Sequence, residues 1–83
     1  MKDLKELNVL FCQEWGLLIM DVRKRKGLSI TELARDAGIT AMHLTHIEKG
    51  DRTCSPLIMY LISTALDESH SKLMNQAYEN IQK

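Results

Sequence analysis

Two histidines three residues apart, His43 and His46, raise the first question of chemistry in this chain. At that spacing both imidazoles share one helical face, and two such rings can hold one metal ion. Two ligands do not complete a site. His70, Cys12 and Cys54 stand elsewhere, with no carboxylate or thiol at a fixed supporting spacing, so no metal is expected. Nucleophilic catalysis finds no footing either. No Ser/His/Asp or Cys/His arrangement can be placed, there is no glycine-rich phosphate loop, and 83 residues leave no room for a substrate domain. The expectation is a protein that is not an enzyme and carries no cofactor. The distribution of charge says more. Net charge is zero, but residues 23–53 carry seven basic and four acidic side chains, among them Arg23, Lys49 and Arg52. The flanks are net acidic. A local basic excess suits a phosphate-bearing partner, although one this modest implies weak non-specific affinity.

These side chains need helices to aim them, and the sequence marks the helices. Ser29 is an N-cap with Glu32 three residues on, a capping box that satisfies two orphan N–H donors. Leu28 and Leu33 occupy the places of a hydrophobic staple. Ala34 is small enough for a second helix to approach, and Gly38 ends the segment in a left-handed conformation. Thr40 caps the next helix, Ile39 can staple onto Leu44, and Gly50 ends it. Leu44 and Ile47 point inward, which leaves Ala41, Met42, Thr45, His46 and Lys49 outward. Two short helices separated by one glycine make a helix-turn-helix, a shape that fits the DNA major groove.

Three further helices complete an all-α chain. Asp3 caps a segment with Leu4, Leu7, Phe11, Trp15, Leu18 and Val22 at helical spacing. It reads either as one helix reaching Lys26 or as two broken near Gly16. Ser55-Pro56 opens a fourth helix with Ser as cap and Pro at its first position. Ser69 opens a fifth, 69–82, with Leu73, Ala77 and Ile81 on one face. The chain is read as a single domain, 1–83, with one core.

Ile19, Val22, Arg23, Gly27-Leu28-Ser29, Glu32-Leu33-Ala34, Gly38-Ile39-Thr40, Leu44, Ile47-Glu48, Gly50, Ile62 and Ala65-Leu66 stand in one register. In that register the chain resembles the lambda-repressor-like superfamily, the Cro/repressor or XRE-type helix-turn-helix proteins, over about four fifths of its length. The resemblance implies a five-helix lambda-repressor-like domain whose unit spans 29–49, with 1–14 as an N-terminal helical extension. It makes Ala41, Met42, Thr45 and His46 the base-reading positions. Ala41 and Met42 would touch a thymine methyl, and His46 would donate to guanine N7 or O6. Thr40, Lys49, Arg52 and Arg23 are the implied phosphate contacts. Arg23 and Glu48 resemble a structural ion pair that orients the reading helix, and His43 an internal packing position. The chain departs from the pattern at Ile30, where many members carry a phosphate-binding Gln, and at Asp51, an acid beside the phosphate path.

Function follows as an expectation: a small transcriptional regulator binding duplex DNA as a homodimer, with recognition helices entering half-sites roughly 34 Å apart. The dimer contact would come from Leu73, Ala77, Tyr78 and Ile81, or from Leu7, Phe11 and Trp15. The alternative is a protein-interaction module on the same fold, an antagonist of another regulator, which the weak readers favour. Gln13 and Glu14 interrupt the only N-terminal apolar run, and the two cysteines form no CxxC pair. The expected setting is the reducing cytoplasm, with no membrane partner.

Overall fold

The computed structural model describes residues 3–51 and 54–83. Five helices follow one another: α1 (Leu4–Arg25), α2 (Ile30–Ala37), α3 (Ala41–Glu48), α4 (Pro56–Ala65) and α5 (His70–Gln82). No strand occurs among the described residues. The fold is the expected all-α, five-helix lambda-repressor-like arrangement.

Local capping starts each helix. Asp3 accepts the Glu6 backbone N–H at 2.9 Å. The capping box of α2 is closed on both sides, with Ser29 N–H donating to Glu32 Oε1 at 2.9 Å and Glu32 N–H donating to Ser29 Oγ at 3.0 Å. Thr40 accepts from His43 N–H, Ser55 from Ile58 N–H and Ser69 from Lys72 N–H. Each such bond removes one of the donors a helix start leaves unpaired, worth about 1 kcal/mol.

Of the two readings at Gly16, the continuous one is realised: α1 runs 22 residues unbroken. The extension is therefore the first turns of α1, not a separate helix. A glycine in mid-helix costs about 1 kcal/mol against alanine. Here it is required because α1 crosses α3 at this point, and a Cβ on Gly16 would collide with the Ile47 carbonyl oxygen and press on Glu48.

The core is one cluster. Trp15, Ile19, Leu33, Leu44, Ile47, Ile62 and Leu66 are its largest fully buried apolar side chains. α1 packs on α3 and α5, α2 on α3 and α4, and α4 on α5. Three residues expected at a dimer surface are inside: Trp15 and Ala77 are fully buried, and Leu73 of α5, like Ala77, is enclosed at 5% exposure. Leu73 and Ala77 line the face of α5 that α1 and α4 cover, so neither is available to a second copy. Tyr78, at 55% exposure, stays outward, while Ile81, Leu7 and Phe11 are half-buried. Trp15 belongs wholly to the core.

Candidate nucleic-acid interface

α3 has two sides with different chemistry. Its inner side holds Leu44 and Ile47 in the core and ends at Glu48, which is buried. Glu48 meets Arg23 of α1 in a forked pair, Nε to Oε2 at 2.7 Å and Nη2 to Oε1 at 3.0 Å. Arg23 Nη1 donates to the Leu28 carbonyl at 2.9 Å. Two parallel N–H···O bonds fix distance and angle together. Donation to the Glu48 carboxylate raises the Arg23 guanidinium above its ordinary value, against the desolvation that would lower it. The structural pair expected for Arg23 and Glu48 is thus assembled. The Arg23 guanidinium is turned inward and held on three acceptors, which leaves it two further N–H groups.

The outer side carries the expected readers unequally. Met42 is 73% exposed. His46 is exposed one turn later, on the same helical face. Thr40, Met42, His43 and His46 border an open hollow of about 430 Å³. Ala41 is half-buried and packs against the core. Thr45 is also half-buried, and its hydroxyl donates back to the Ala41 carbonyl at 3.0 Å, which occupies its one proton. Met42 and His46 therefore protrude furthest among the four. At the start of α3, Thr40 accepts from His43 N–H and keeps its own hydroxyl proton for an outside acceptor.

Beyond α3 the chain reverses at Gly50, whose φ of 87° is left-handed and whose α-carbon faces Gln13 of α1. Gly50 N–H donates to Ile47 O and Asp51 N–H to His46 O, both at 3.0 Å. These two bonds define a Schellman motif, which lays the residue after the glycine over the third residue from the helix end. Asp51 Oδ2 accordingly lies 3.2 Å from His46 Nδ1. His46, Lys49, Gly50 and Asp51 border a second hollow of about 350 Å³. Lys49 is exposed there. Arg52, the other expected phosphate contact on this loop, lies outside the described residues. Sequence reasoning placed Asp51 as a bare acid and missed its partnership with His46. The signal was available: a helix-ending glycine at position 50 brings residues 46 and 51 together.

Other charges and thiols settle elsewhere. Arg25 pairs with Asp21 at 3.0 Å, and Lys26 with Glu68 at 3.1 Å. Lys26 also caps α4 through the Leu66 carbonyl. Ile30, in the place of the family's Gln, packs against the core. Cys12 and Cys54 border one hollow with Leu4, Lys5 and Asn8. Burial pushes the Cys54 thiol up to about 12, and nearby Cys12 adds to the shift. Among the described residues no group of three or more His, Cys, Asp or Glu side chains could hold a metal. No helix among them is long and apolar enough to cross a membrane.

This arrangement of two short capped helices on a common core resembles that of known proteins. A family model described as Helix-turn-helix matches residues 19–73. The chain belongs to this helix-turn-helix family, of the XRE, lambda-repressor-like type. Over 66 residues it is 38% identical to the HTH-type transcriptional regulator SinR of Bacillus subtilis (strain 168), covering 77% of this chain and 59% of SinR. It thus spans less than two thirds of that relative's length. Among solved structures, the restriction-modification controller protein C.AhdI from Aeromonas hydrophila superposes with a TM-score of 0.71 and 29% identity, covering 75% of this chain and 94% of C.AhdI. The clp gene regulator ClgR from C. glutamicum gives a TM-score of 0.78 at 22% identity, over 86% of this chain and 92% of ClgR, a likeness of fold. The α2–α3 unit lies within the family match, whereas Trp15 and Ala77 of the shared core lie outside it.

Proposed function

We propose that this chain is a transcriptional regulator that binds duplex DNA as a homodimer, each copy laying α3 in a major groove. The observation that carries the reading is the two-sidedness of α3. Its inner side is pinned to α1 by Arg23–Glu48, and its outer side presents Met42 and His46 between Thr40 and Lys49. An α-helix fits the major groove, where a methionine can lie on a thymine methyl and a histidine can bond a base edge. Thr40 and Lys49 then take phosphates at the two ends of α3, positioning without reading. Membership of a helix-turn-helix family that includes SinR and C.AhdI supports the reading. With Leu73 and Ala77 enclosed, the second copy is left Tyr78 and Ile81 of α5, or Leu7 and Phe11 of α1.

Selection from a random duplex library at low salt tests this, followed by salt titration of the winners. The expected result is a palindrome with half-sites one helical turn apart. Lys49→Ala should weaken every winner alike and lower the salt slope by about one. A specific observation favours the second reading, a protein-interaction module: Arg23, Arg25 and Lys26 are spent on ion pairs. Absence of any enriched duplex would decide for it.

A further inference from the structure

We propose that Asp51 fixes His46 as a hydrogen-bond acceptor toward DNA, so that His46 reads an exocyclic base amine, adenine N6 or cytosine N4. The inference rests on the DNA-binding reading above and deepens it. A carboxylate can only accept, so the 3.2 Å contact of Asp51 Oδ2 with His46 Nδ1 is a hydrogen bond only if Nδ1 carries the proton. In a neutral imidazole the other nitrogen is then bare. No side chain among the described residues is hydrogen-bonded to Nε2, and half of the His46 side chain is open to solvent. Nε2 therefore offers a lone pair on the outer side of α3, beside Met42. In the major groove the groups that donate are the amines of adenine and cytosine, whereas guanine N7 and O6 accept. This assignment runs opposite to the guanine contact expected from the residue type alone. Residue type does not set a tautomer; the neighbour of the other nitrogen does.

The backbone holds the arrangement in place. The Schellman bonds at Gly50 seat Asp51 over His46 irrespective of the side-chain contact. That motif usually carries an apolar contact at these two positions. Here a carboxylate and an imidazole take them instead. The pair is exposed, so its worth lies in orientation and not in stability.

The first test needs no DNA. Nitrogen-15 NMR of the whole chain at pH 8 should find His46 with Nδ1 protonated and Nε2 bare, and Asp51→Ala should return it toward the Nε2-protonated form that free imidazole side chains prefer. A wild-type His46 protonated on Nε2, or one indifferent to Asp51→Ala, overturns the inference. The second test uses a selected duplex. The base pair whose preference disappears in His46→Ala marks the His46 contact. Replacing its amine-bearing base by an analogue that lacks the amine should weaken wild-type binding roughly tenfold. His46→Ala should not respond. A 7-deaza purine at that pair should leave wild-type binding intact. Loss of binding with 7-deaza, with the amine dispensable, overturns the inference while leaving DNA binding standing. Failure to enrich any duplex overturns both.

Discussion

Two side-chain pairs, one ionic and one a single hydrogen bond to a neutral imidazole, leave the same end of α3 in opposite directions, and they do different work. Glu48 points inward to Arg23, forked and nearly closed to solvent, with side chains 10% and 6% exposed. His46 points outward to Asp51 through one contact, with side chains 52% and 45% exposed. The inner pair answers to the fold: a buried charge without its partner is expensive, so both must be present. The outer pair answers to water, which screens it and makes it nearly neutral for stability. A single eight-residue helix thus anchors with one face and presents with the other.

The contrast can be broken most severely on its inner side. Glu48→Ala leaves Arg23 buried with only the Leu28 carbonyl, and should cost about 3–5 kcal/mol. In a domain this small that lowers Tm by well over ten degrees in a thermal melt. A melt unchanged from wild type would mean that the pair is solvated and anchors nothing. Gly16→Ala presses a methyl onto the Ile47 and Glu48 carbonyls, where the obstruction is backbone and cannot swing aside. About 1–3 kcal/mol should be lost in denaturant titration, although alanine favours helix. Greater stability would show that α1 can slide on α3.

The surface contributes less, and pH separates it from the interior. The Ser29 backbone N–H, joined by its hydroxyl, lowers the Glu32 carboxyl below its ordinary value. A depressed carboxyl binds its proton more readily in the unfolded chain. Its stabilisation is present above the ordinary glutamate range and disappears as pH falls through the folded value. Glu32→Gln keeps an acceptor for the capping box but cannot titrate, so the acid side of its melting curve should be shallower than that of wild type. Equal slopes would remove Glu32 from the pH response. Asp51→Ala should change least, below about 1 kcal/mol. A large loss would move the outer pair into the same class as the inner one.

The helix-turn-helix was legible because its signals are local. Ser29 and Glu32, Thr40 and His43, and Ser55 with Pro56 act within four residues, so their bonds form wherever the rest of the chain goes. Ile30 and Asp51 were visible as departures because the resemblance supplied a pattern to set them against. Even the His46–Asp51 pair follows from a local reversal at Gly50, although residue type alone suggested a free reader.

What local spacing could not decide is what covers each face. The stripe Leu73–Ala77–Ile81 announces an apolar surface, yet an intramolecular helix and a second copy would satisfy it equally. Only the packing of α5 on α1 and α4 encloses Leu73 and Ala77 and leaves Tyr78 outside. Gly16 reads equally as a break or as part of one continuous helix until α3 is laid across it. That Arg23 is a strut shows only when Glu48, 25 residues away, occupies its fork. Sequence by itself determined the capped helix starts, the glycine ends of α2 and α3, and which residues share a face, because those choices rest on bonds between near neighbours. Tertiary structure alone decided which faces are buried, because burial depends on which distant segment arrives to displace the water.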